Sequence, residues 1–143
     1  MSGYRRNRPS EGTKIYNRRK SLDSIKELME KNPAKAKSEL YRHLSENPDD
    51  MYAWFYYGKI CLNESYLDEA EYAYTKVAYS TSRNKYAGIT GLGDVARLRG
   101  DNATAKKYYH RSIAENPTEQ APTYFILARL ETTEGNYDEA LRI

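Results

Sequence analysis

The chain has a single cysteine, Cys61, so no internal disulfide framework holds it together. No apolar run approaches the ~20 residues that span a bilayer. The first residues lack the apolar centre of a secretory signal, so the sequence predicts a cytoplasmic protein with no membrane partner. The chain also lacks a Gly-rich phosphate loop, an H-E-x-x-H pair and cysteines at metal-ligand spacing. The two histidines, His43 and His110, are far apart. No catalytic residue, metal site or cofactor is expected, and the sequence reads as that of a non-enzymatic protein. Hydrophobic residues make up only 39% of the 143 positions. That is little for one central core, and it suits an architecture that buries one side of each helix and leaves much surface wet.

Tyrosine, by contrast, is abundant, at 15 residues beside two phenylalanines and one tryptophan. Tyrosines suit half-buried ridges, with the ring packed and the hydroxyl in water. Charge is unevenly placed. Residues 1–20 carry Arg5, Arg6, Arg8, Lys14, Arg18, Arg19 and Lys20 against Glu11, a net +6, while the whole chain is +3. A basic segment therefore precedes a mildly acidic body. Its charges and few large apolar groups predict a disordered tail over residues 1–20.

The body contains one unit written more than once. Trp54, Gly58, Ala70 and Tyr74 recur 35 residues later as Ile89, Gly93, Ala105 and Tyr109. One further period gives Ala128 and Ala140, and one period back from Tyr74 gives Leu40. A fixed period of this size marks a stacked repeat architecture. Each unit reads as two helices. Leu22, Ile25, Leu28 and Met29 form an i, i+3, i+4 stripe in a helix over 21–31. Asn32-Pro33 interrupts it, because the residue before proline avoids the helical region. Further helices are predicted over 34–46, 51–63, 68–80, 86–99, 103–115 and 121–133, with a last one from Asp138. Asp49-Asp50 and Asp101-Asn102 stand where they can cap helices, and Gly100 is placed to stop one. Pro122 fits a first helical turn. Cys61 and His43 fall among helical core positions and read as packed side chains.

These residues resemble the tetratricopeptide repeat. The resemblance rests on the large residue at Trp54, the small residues at Gly58, Gly93, Ala128, Ala70, Ala105 and Ala140, the aromatics Tyr74 and Tyr109, and the closing Asn-Pro pairs at Pro48 and Pro117. It covers Ala34 to Ile143. Ser82 departs from the closing proline, and the period of 35 exceeds the usual 34, a length shared with pentatricopeptide RNA-binding repeats. The resemblance implies an all-α, right-handed α-solenoid of antiparallel helix pairs. Its units would be a degenerate repeat at 21–50, repeats at 51–85 and 86–120, and an incomplete one at 121–143. Small Gly58 and Ala70, and likewise Gly93 and Ala105, would face each other where paired helices cross.

In the resembled family the first helix of each repeat lines a concave groove. Carried onto this chain, the groove residues are Tyr52, Phe55, Tyr56 and Lys59, then Thr90, Asp94 and Arg97, then Phe125 and Arg129. An aromatic floor with three cations and one anion suits a peptide with apolar anchors and an acidic residue. The family's carboxylate clamp is not matched, because Phe55 stands where it wants lysine and Lys59 where it wants asparagine. The implied function is a protein–protein interaction scaffold. One alternative is a nucleic-acid-binding repeat protein using the basic tail, against which the net negative body argues. Another is a self-associating fragment of a longer repeat protein, because no polar closing helix follows the last repeat.

Overall fold

The computed structural model describes residues 22–118 and 120–133 of the chain. The predicted basic tail over 1–20, the turn at 135–137 and the helix expected from Asp138 lie outside the described residues. Seven helices occupy the described residues: α1 (22–31), α2 (Pro33–Glu46), α3 (Met51–Asn63), α4 (Leu67–Ala78), α5 (Lys85–Leu98), α6 (Asn102–Glu115) and α7 (Ala121–Thr133). None is long and apolar enough to cross a membrane.

The helix ends follow local chemistry. Asn32, Asp50 and Asp101 each accept a backbone N–H three residues on, at 3.1–3.2 Å, and so cap α2, α3 and α6. The turns after α3 and α5 are built alike. Gly100 takes φ +83° and Ser65, one 35-residue period earlier, takes φ +65°. In both, the next N–H reaches back to the helix, Tyr66 to Cys61 at 2.8 Å and Asp101 to Ala96 at 2.9 Å. This is a left-handed helix stop used twice. Helix α4 ends at Ala78, two residues short of the expected Ser80. There the Ser80 hydroxyl folds back to the Val77 carbonyl at 2.7 Å, and Ser82 bonds Ser80 and Asn84 in turn. Serine hydroxyls offering such local bonds end the helix early.

Consecutive helices pack in sequence from α2 to α7, and α3 also touches α5. First helices of neighbouring repeats thus sit side by side, as in a stack of helix pairs. The core falls into two clusters. The larger draws on α1 to α5, with Leu40, Cys61, Tyr74, Ile89 and Val95 among its members. The smaller joins Ala96, Ala105, Tyr109, Leu127 and Leu130.

The small-residue positions are tight against the repeated tyrosines. A Cβ built on Gly58 would lie 2.9 Å from the Tyr74 ring, and one on Gly93 would lie 2.6 Å from the Tyr109 ring. The nearest neighbours of these glycines are the tyrosines, not Ala70 or Ala105, which are nevertheless fully buried. The missing side chain makes room for a flat ring.

Candidate functional site

The side of α3 that carries Tyr52, Phe55, Tyr56 and Lys59 is flanked by two cavities. The first, of about 270 Å³, is lined by Met51, Tyr52, Phe55 and Tyr56 and closed by the α4–α5 connection and the start of α5. The Asn84 side-chain amide donates to the Tyr52 hydroxyl at 2.8 Å and holds the ring at its rim. Phe55 packs against Tyr56 and Tyr74, with centroids 5.4 and 6.1 Å apart. The second cavity, of about 480 Å³, lies between α1 and α3 and is lined by Lys26, Met29 and Glu30 with Tyr56, Lys59 and Asn63. Tyr56 belongs to both, and Lys26 Nζ stands 5.2 Å from its ring centroid. Together they make a trough with aromatic side chains along α3 and a mixed-charge end of Lys26, Lys59, Glu30 and Glu64. Its contribution from α1 was not foreseen, because that helix carries no aromatic residue.

Thr90, Asp94 and Arg97 are held differently. Each turns part of its bonding toward α6. Thr90 Oγ1 lies 2.5 Å from the buried Ser112 hydroxyl, which donates to the Tyr86 carbonyl at 3.0 Å. The Tyr109 hydroxyl donates to Asp94 at 2.5 Å and accepts from Arg97 Nε at 3.2 Å. Arg97 also pairs with Asp94 at 3.6 Å. Burial raises the Asp94 carboxyl above the ordinary range, while the Tyr109 hydroxyl and Arg97 oppose that shift. Burial likewise raises Tyr109, helped by Asp94. The three expected groove residues therefore lock α5 onto α6. Asp94 and Arg97 keep 21% and 36% of their side chains exposed, so the pair still meets solvent, but with its charges largely matched. Phe125 and Arg129 are exposed one turn apart on α7 and belong to neither cavity.

Other groups with chemical potential are structural. His43 is buried, with Nε2 2.8 Å from Asp50 Oδ2, while the other oxygen of Asp50 caps α3. Burial pushes the Cys61 thiol up to about 11, away from thiolate chemistry. No group of three His, Cys, Asp or Glu side chains among the described residues could hold a metal. Glu131 is buried and lies 3.7 Å from Lys106.

Sequence reasoning missed a third cavity, of about 400 Å³, on the side of α2 and α4. Tyr41, Leu44, Trp54, Tyr57 and Tyr72 wall it, with Asp68 and Glu69 in the lining. The available signal was that Tyr41 and Tyr72 fall outside the repeated stripe, on the wet faces of second helices. They are 66% and 57% exposed.

No protein-family model matches this sequence, and no curated protein matches it. Its fold does have solved counterparts. A crystal structure of MamA, a TPR-like helical repeat protein, superposes with a TM-score of 0.73 at 20% identity, covering 88% of this chain and 73% of that one. A second, titled MamA MSR-1 C2, gives 0.66 at 19% identity over 85% of this chain and 70% of that one. A MamA mutant gives 0.63 at 20% identity over the same shares. The architecture is the right-handed α-solenoid of antiparallel helix pairs built from tetratricopeptide-like repeats.

Proposed function

We propose that this protein is a non-enzymatic adaptor that binds a segment of another protein along the first-helix side of the solenoid. A stack of helix pairs offers an extended surface suited to that task. The observation that carries the reading is the pair of adjoining cavities sharing Tyr56. Two neighbouring recesses that share an aromatic wall, the second also lined by Met29 and Ile60, fit successive apolar anchors of one bound segment. At the α1 end Lys26 and Lys59 stand with Glu30 and Glu64, so the charge there is balanced and the anchors are selected by their apolar surface. Asp94 and Arg97 neutralise each other and contribute shape more than charge. Phe125 and Arg129 would extend the contact toward α7.

The test is affinity capture from lysate with wild type beside a Tyr52→Ala, Lys59→Ala double variant. Both side chains are exposed, so the variant should keep its helicity by circular dichroism. The expected result is a protein retained by wild type and lost by the variant, with nuclease-treated lysate giving the same result. Equal retention by both proteins would remove the groove as the site. Loss on nuclease treatment would transfer the function to a nucleic acid and to the basic residues 1–20.

A further inference from the structure

The cavity beside α2 and α4 has a chemistry of its own. Its aromatic walls meet at open angles. Trp54 stands at 83° to Tyr57 with centroids 6.2 Å apart, and at 68° to Tyr72 at 5.7 Å. Tyr41 is tilted 46° to Tyr57 at 6.4 Å. Rings packed this way, edge to face or tilted, form the walls of the cavity with Leu44. Two of them are pinned from behind. Trp54 Nε1 donates to the Pro48 carbonyl at 2.8 Å, and the Tyr57 hydroxyl donates to Glu69 at 3.0 Å. The box exists before anything enters it, so little ordering cost falls on binding.

The charged groups that line it are Asp68 and Glu69, and no basic side chain does. Lys37 pairs with Glu69 at 3.1 Å and Arg99 with Asp68 at 2.5 Å, both from outside the cavity. Each carboxylate has further acceptor positions. Lys76, also outside, stands 5.8 Å from the Trp54 ring centroid and 5.2 Å from that of Tyr72. These rings therefore already receive a cation. An electron-rich ring face attracts a cation most when the pair is drawn out of water. Asp68 is almost fully exposed at the rim and Glu69 about half exposed, so an occupant reaches both carboxylates from the solvent side and gains there only if it can donate to their remaining acceptor positions.

We propose that this cavity recognises an arginine side chain on a basic segment of a partner protein. Arginine fits better than lysine, because its guanidinium is planar, weakly hydrated, stacks on rings and offers a fork to carboxylates. The site stands apart from the groove proposed above. It is walled by α2, α3 and α4, and although α3 also lines the trough, the two share no lining residue, so both can be filled at once.

Trp54 is the only tryptophan of the chain, so intrinsic fluorescence observes this cavity directly. The full chain is titrated with a synthetic Gly-Ser peptide carrying two central arginines, and with the same peptide carrying citrulline. Citrulline keeps the shape and removes the charge. The expected result is a saturable change with the arginine peptide, weaker by about tenfold with citrulline. Tyr72→Ala and Asp68→Asn, both at exposed positions, each shift the midpoint to weaker binding while helicity is kept. Tyr79→Ala, equally exposed but outside the cavity, leaves the titration unchanged. Equal binding of the two peptides, an unresponsive wild type, or wild-type affinity in Tyr72→Ala would each overturn the proposal. A response that emerges only after Arg5, Arg6 and Arg8 are replaced by glutamine would also overturn it, assigning the cavity to the chain's own basic segment.

Discussion

At the scale of single residues, the repeats test themselves. Ser65 and Gly100 occupy the same turn position one period apart, both at positive φ with the same backbone bond behind them. Serine bears a Cβ that crowds its own carbonyl in this conformation, and glycine does not. Glycine gives back part of that gain through greater freedom in the unfolded chain. Ser65→Gly should therefore stabilise the protein by roughly 0.5–1 kcal/mol. Gly100→Ser should cost a similar amount, although a Cβ at Gly100 would meet open space. Thermal or urea midpoints of the two variants check this, and opposite signs are expected. Shifts of the same sign would mean that the two turns are held by something other than backbone conformation.

At the scale of elements, what matters is how one helix hands over to the next. Asp50 and Asp101 both cap a helix, yet only Asp50 also bonds a buried histidine of the preceding helix. Removing a cap costs about 1 kcal/mol. Leaving a buried polar group without its partner adds about 1–3 kcal/mol. Asp50→Ala should therefore cost roughly 2–4 kcal/mol and Asp101→Ala roughly 1 kcal/mol, read from urea unfolding. Equal losses would show that His43 finds another partner when Asp50 is gone. The contrast also marks what the sequence could tell. The caps, the helix stops and the 35-residue period are local, and a chain written in repeats states them several times over. The trough residues on α3 were legible for the same reason, since helical spacing puts Tyr52, Phe55, Tyr56 and Lys59 toward one side. The pairing of Asp50 with His43 and the turn of Thr90, Asp94 and Arg97 toward α6 depend on a neighbour's side-chain length. The Tyr109 hydroxyl reaches past Gly93 to Asp94, and spacing along one helix does not reveal that reach. The box of Tyr41, Trp54 and Tyr72 gathers three helices, and Tyr41 and Tyr72 lie outside the repeated stripe, so the periodicity did not point to it.

At the scale of the whole molecule, a solenoid has stability only between neighbours, and it need not be uniform along its length. Here the material at successive junctions differs. The α3, α4 and α5 layers share one apolar cluster that includes Tyr74, Ile89, Leu92 and Val95. The junction of α6 with α7 rests on Leu127 and Leu130 against Ala96, Ala105 and Tyr109, with the half-buried Ile113 and Ile126 beside them, and on polar bonds. Gln120 donates to the Ser112 carbonyl at 3.0 Å and to its hydroxyl at 3.1 Å, and Thr123 donates to Gln120 at 2.9 Å. Such bonds satisfy buried groups, but their net gain over water is small, about 0.5–1.5 kcal/mol each. Apolar burial is the larger driving force, and among the described residues α7 has less of it. Opening of α7 should therefore precede opening of the rest. Native-state hydrogen exchange read by mass spectrometry should give amides of α7 protection at least about tenfold below those of α3 to α5, a difference of about 1.4 kcal/mol in opening free energy. Equal protection throughout would make the described helices one cooperative unit. A loose α7 bears on the proposed groove as well. Phe125 and Arg129 sit on that helix, so a bound segment reaching them should raise the protection of α7 while leaving α3 to α5 unchanged. A segment confined to the two cavities should leave α7 exchanging as it does alone.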